Sequence, residues 1–404
     1  MASARSLRSL DLLNFFVADV QTGFGPFIAG YLAVHKWTQI EIGFALTLGT
    51  MSAMLSQVPA GAFVDAINSK RAAAAFGILC IIGSALLFAT IPVHLPVYIA
   101  ELFHGFASCI IAPAVAAVSL RLVGHVALGE RLGRNARFMS VGNGIAAAVM
   151  GVVGSYVSGS AVFWLTAALG VPALIALGQI EPAAPEVRTR VRRRIEWRGI
   201  YELLTDSRLL IFAVCALLFH LSNAALLPLA SAQVTKQAGT SAYLIIAACI
   251  VTPQIVVALL SPRLGRMAQE QGRRMVMLLG WASLPIRGLL MAMAPDPYTL
   301  VALQVLAGIS AGVFGIMLPL VSADLTEGTG RFNLCMGIVG LAVFVGASLS
   351  NTLGGFLADR FGDSAAFVGL ALAGLCATVM VRFVMPETRT WHASAAPQPV
   401  GARA

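Results

Sequence analysis

The chain has 404 residues, of which 58% are hydrophobic and only 11% charged, and its mean hydropathy is +0.85. A soluble domain carries about 25% charge, so a chain this long cannot cover a water-facing surface; soluble enzymes are excluded, and so is disorder, which needs low hydrophobicity and high charge. The formal net charge of +9, which in a soluble protein points to nucleic acid, here fits arginine-rich loops on one side of a membrane, and no nucleic-acid partner is expected.

Arg5 and Arg8 precede the first apolar run. No small-residue cleavage site follows, and Asp19 interrupts the run, so it reads as a retained first helix rather than a leader. Spanning stretches lie at roughly 11–34, 39–64, 71–92, 95–121, 138–159 and 161–180. From Glu181 to Arg208 the chain is polar and basic, the character of a linker, with a short amphipathic helix expected at Ile195–Leu204. Spans resume at roughly 209–232, 241–262, 274–294, 298–322, 333–357 and 364–385. The expected organisation is a six-helix bundle over 1–180, a linker over 181–208, a second bundle over 209–386 and a tail over 387–404. The six cysteines stand singly in apolar runs, and no CxxC pair suggests a disulfide framework or a metal site. They read as small buried hydrophobes.

With an N-terminus in the cytoplasm, the loops and ends on that side collect 23 of the 27 basic residues. That asymmetry places both termini inside. The halves repeat: GRNARFMSVGNG opens helix 5 and GTGRFNLCMGIVG opens helix 11, while Pro26 in helix 1 answers Pro228 in helix 7. Two parallel halves of six helices are a transporter architecture with binding at the midplane between repeats.

The loop after helix 2 reads GAFVDAINSKR from Gly61, and the loop after helix 8 reads GRMAQEQGRR from Gly265. A tight turn with a carboxylate at a helix end and cations after it can latch two halves through charge-assisted hydrogen bonds and release them on movement. The candidate latch residues are Gly61, Asp65, Lys70 and Arg71 in the first copy and Gly265, Gly272, Arg273 and Arg274 in the second. Asn68 replaces the second glycine of the first copy, and Gln269 replaces the aspartate of the second. On these two loops the chain resembles the major facilitator superfamily. The resemblance implies an all-α integral membrane protein, with 12 transmembrane helices in two six-helix pseudo-symmetric bundles. Within that family, LNFFVADVQTGFGPF, GRNARF and SADLTEGTGRFN resemble proteobacterial inner-membrane efflux proteins. Two departures stand out: Glu101, His104 and Gly105 occupy the place where many drug/proton antiporters carry an arginine before Gln-Gly, and helix 5 lacks their glycine-proline signature.

Ionisable groups inside spans are costly and mark ion and substrate pathways. Asp19 lies eight residues into helix 1, and Glu101 and His104 share one face of helix 4 at i,i+3 spacing. Both helices line the central cavity in the resembled family, so Asp19, Glu101 and His104 are the candidates for proton coupling. Asp19 leads, because desolvation favours a neutral carboxyl that can carry a proton. His220 and Asn223 on helix 7 and Gln304 on helix 10 offer hydrogen-bonding groups for a substrate. Arg287, on helix 9, reads as a side chain reaching to the outer headgroups.

No fingerprint of ATP, nicotinamide or hydrolytic chemistry stands in a credible context. The expectation is therefore a non-enzymatic secondary transporter without cofactor or resident metal. It would be a monomer in the bacterial inner membrane, exporting a small amphipathic compound against protons. Import of a metallophore or organic acid is the alternative, as is divalent-metal transport with Asp19, Glu101, His104 and His220 as ligands.

Overall fold

The computed structural model describes residues 3–22, 28, 31–32, 35–37, 39–181, 201, 203–230, 242–294 and 296–389. Twelve long helices follow one another: α1 (Ala4–Thr22), α2 (Gln39–Ala66), α3 (Lys70–Thr90), α4 (His94–Val123), α5 (Leu128–Tyr156), α6 (Gly159–Gln179), α7 (Ser207–Asn223), α8 (Ala242–Gln271), α9 (Arg273–Ala292), α10 (Pro297–Leu325), α11 (Phe332–Phe361) and α12 (Asp363–Phe383). Ten described helical stretches are long and apolar enough to cross a membrane. Of the expected linker helix, only 201, 203 and 204 fall within the described residues, and they are helical.

Local chemistry sets where several helices begin. Ser69 accepts from the Ala72 amide at the start of α3, and Ser158 from the Ala161 amide at the start of α6. Asp206 caps α7, and the hydrogen bond from Arg208 holds its carboxyl below the usual carboxylate range. Asp296 caps α10 ahead of Pro297, and the Thr299 hydroxyl holds its carboxyl low in the same way.

The packing repeats between halves. In the first, α1 lies against α5 and α6, α2 against α4, and α3 against α4 and α6. In the second, α7 lies against α11 and α12, α8 against α10, and α9 against α10 and α12. Among the described residues the most extensive contacts between the bundles are α2 with α11 and α5 with α8, flanked by lesser ones of α10 with α4 and α5 and of α4 with α11. Apolar side chains such as Leu55, Leu95, Phe356 and Leu372 remain outside, as a hydrocarbon environment allows. Cys109, Cys215, Cys249 and Cys335 are buried as expected; Cys80 is only half-buried, and Cys376 is exposed because it lies on an outward face of α12.

Candidate functional site

The end of the molecule that carries the loops after α2 and α8, here the basic end, is closed by two related seams. Along α2 and α11, a Cβ on Gly61 would strike the Asn333 carbonyl oxygen, so only glycine permits this approach. Along α5 and α8, Gly265 meets the Gly129 carbonyl in the same manner. Each seam also supplies a missing helix cap. α11 begins at Arg331 and α5 at Ala127, and neither residue caps its helix with its own side chain. Asp65, from the other bundle, accepts from the Asn333 amide at 3.1 Å, the Asn333 side chain at 2.6 Å and the Leu334 amide at 2.8 Å. It puts an anion at the positive end of α11. Gln269 accepts from the Gly129 amide at 3.3 Å and donates to the His125 carbonyl at 3.1 Å. The residue that replaces the aspartate thus occupies the equivalent place as a neutral amide.

The neighbouring cations stay within their own bundles. Lys70 donates to the carbonyls of Val64, Asp65 and Ile67, closing the end of α2, and Arg71 donates to Gly178. Arg273 bonds Asp324 at 2.9 Å, and Arg274 bonds the Arg382 carbonyl. Gly272 adopts φ +101°. Beside it Glu387, from the segment after α12, accepts from the Arg273 and Arg274 amides and so caps α9. Arg137 does cross a seam, donating to the Ala258 carbonyl at 3.0 Å.

A second charged cluster lies between α1 and α5. Asp11 accepts from Arg131 and from Arg134, the latter through Nε and Nη2. Arg131 also holds Asn135, which reaches Ser119. Asp11 and Arg131 are buried while Arg134 is half exposed. The sequence reading passed over Asp11, although Arg131, Arg134 and Asn135 share one face of α5 by their i,i+3 and i,i+4 spacing.

Deeper in the bundles the candidate residues separate. Asp19 stands in α1, but its side chain lies outside the described residues. Glu101, 3% exposed, packs against Gly49 of α2. Its Oε1 has no hydrogen-bond partner, and no cation pairs with it among the described residues. His104, a turn on, is half-buried. In the other bundle His220 bonds its own helix at the Ala216 carbonyl and stands edge-on to Phe314, ring centres 4.6 Å apart.

Asn223 and Gln304 are joined by a residue that sequence reasoning sent elsewhere. Arg287 is 2% exposed and points into the bundle, donating to Asn223 Oδ1 at 2.9 Å and Gln304 Oε1 at 2.8 Å. The expected reach to outer headgroups is therefore wrong. Ile286, Leu289 and Leu290 take the outward face of α9 and Arg287 the inward one. Among the described residues no three His, Cys, Asp or Glu side chains gather as a metal cage.

The family model of the Major Facilitator Superfamily matches residues 10–266 and, again, 212–403. A Mycobacterium tuberculosis protein (strain CDC 1551 / Oshkosh) named "Uncharacterized MFS-type transporter MT2531" is 35% identical over 395 residues, covering 95% of this chain and 94% of its own. Among solved structures, the E. coli fucose:proton symporter FucP superposes with TM-score 0.79 at 14% identity, over 95% of this chain and 99% of its own. The human organic anion transporter MFSD10 superposes with TM-score 0.75 at 14% identity, over 93% and 99%. At such identities the structural likeness shows the fold alone. The repeated halves, the paired loops, the family match and the mycobacterial relative agree: the chain belongs to the Major Facilitator Superfamily, a multi-pass membrane transporter and not an enzyme.

Proposed function

We propose that the chain is a proton-coupled secondary transporter of a small organic compound, working by alternating access with its basic end in the cytoplasm of a bacterial inner membrane. The observation that carries the coupling is Glu101. It is a buried carboxyl group with an unpartnered oxygen and no cation beside it among the described residues. A bare carboxylate in such a place costs several kcal/mol, so the group is protonated when enclosed and releases its proton where water reaches it. Asp19 is the alternative carrier, and His104 stands close enough in sequence to tune Glu101. The seams at Asp65 and Gln269 act as the latch that holds the basic end shut. Export is the direction favoured by the likeness to efflux proteins.

The test is transport in proteoliposomes with an imposed pH gradient and a panel of candidate compounds. Glu101→Gln keeps shape and insertion but cannot cycle a proton, and is expected to lose gradient-driven accumulation while still exchanging substrate. Full accumulation by Glu101→Gln, lost instead in Asp19→Asn, moves the coupling role to Asp19. Accumulation in the sense opposite to export overturns the direction.

A further inference from the structure

Arg287 carries a charge that the bundle leaves uncompensated. Its hydrogen-bond partners among the described residues are neutral amide oxygens, and its Nε has none there. No carboxylate pairs with it among the described residues, although a buried guanidinium calls for one. Gln304 is fixed, since its own amide nitrogen donates to the Leu300 carbonyl at 3.1 Å. Asn223 is different. It is half-buried and ends α7, just before a break in the helix. Past the break the Ala225 amide leaves the helical pattern for Ser350 Oγ at 3.0 Å. Pro228 has no N–H to return to the Ala224 carbonyl. The Asn223 side chain thus sits on a joint, one turn from the His220–Phe314 ring pair, with Phe219 and Trp281 packed behind.

We propose that Arg287 recognises the carboxylate of an apolar or aromatic organic acid, and that Asn223 holds the carboxylate's place while the site is empty. A carboxylate oxygen replacing the Asn223 amide oxygen keeps the hydrogen bond and adds the counter-charge that the buried guanidinium lacks. The planar guanidinium also matches a carboxylate in two-point fashion. The ring pair at His220 and Phe314 then faces the apolar body of the ligand. This names the substrate class of the transporter proposed above and rests on the transport reading, but not on proton coupling at Glu101.

The experiment is ligand binding without any gradient, on the purified full chain in detergent at neutral pH and constant ionic strength. The probes are benzoate and 2-naphthoate, with benzamide and 2-naphthamide as neutral counterparts. The expected result is a rise in Tm with at least one carboxylate and none with its amide. In Arg287→Gln the carboxylate should bind about tenfold or more weakly, with Arg287→Lys between. Asn223→Ala, which removes the competing acceptor, is expected to tighten carboxylate binding; this variant keeps the test alive if Arg287→Gln does not fold. Because binding is read with no gradient, coupling and recognition fail separately. The proposal is overturned if neither carboxylate raises Tm, if amide and carboxylate act alike, if Arg287→Gln binds undiminished, or if Asn223→Ala binds no better.

Discussion

At the residue scale, buried charge divides into paired and unpaired groups, and the pairing decides what each substitution does. Asp11 neutralises Arg131 where both are buried. Asp11→Asn leaves that guanidinium without its anion and is expected to lower stability by about 3–5 kcal/mol, read as a fall in Tm of the purified protein. Removing both charges, in Asp11→Leu with Arg131→Met, should recover most of the loss, because apolar groups replace a buried pair at little cost. Such pairs were hard to read from the chain. Asp11 and Arg131 are 120 residues apart, and Arg287 is 64 from Asn223. Spacing along one helix reveals a shared face but not which distant face meets it. The sequence offered Arg287 no partner, so solvation by headgroups was the natural expectation. The structure supplies the partners from α7 and α10.

At the element scale, three helices that lack their own caps receive them from elsewhere: α11 from Asp65, α5 from Gln269 and α9 from Glu387. A cap contributes about 1 kcal/mol. Because Asp65 and Gln269 act across bundles, their loss should shift the balance between closed and open basic ends rather than unfold the protein. Asp65→Asn retains one acceptor oxygen but not the charge at the end of α11. It is expected to move the equilibrium about fivefold toward the open state, measured as spin-label distances across the α2–α11 seam. Gln269→Ala should do the same across α5 and α8, and the two effects should add, since the seams share no residue. Glu387→Ala, whose bonds stay within one bundle, should lower Tm by the worth of a cap and leave those distances unchanged. The loops were legible because a glycine, a polar residue four positions on and a following pair of cations recur, with Gln269 answering Asp65. The role of Glu387 was not, since nothing in its own neighbourhood marks it as the cap of a helix that starts 114 residues earlier.

At the scale of the whole molecule, the twelve helices were legible from hydropathy, because a spanning segment must be apolar over its full length. The pseudo-symmetry was legible from the paired loops. It extends inward: Lys70 and Arg273, Ser84 and Arg287, and Glu101 and Gln304 each stand 203 residues apart. Each bundle thus buries a charge where its counterpart is neutral, the acid Glu101 answering to Gln304 and the base Arg287 to Ser84. The two bundles are expected to fail differently. Glu101→Gln should abolish the response of transport to an imposed pH gradient while leaving substrate exchange, and Gln304→Ala should weaken substrate affinity while the response to the gradient persists. Parallel measurement of exchange and gradient-driven uptake in proteoliposomes separates the two, and equal loss of both in either variant would remove the division between halves.

The seams of bare backbone have a consequence in time. Where Gly61 meets Asn333 and Gly265 meets Gly129, the touching surfaces are main chain rather than interlocked side chains. At these two points no side chain has to turn before the neighbouring backbone can leave. The hydrogen bonds at Asp65, Gln269 and Arg137 must then break, together with the apolar contacts of Leu128 and Leu132. The protein is built to hesitate at a few small clasps, with backbone sliding past backbone where the glycines stand.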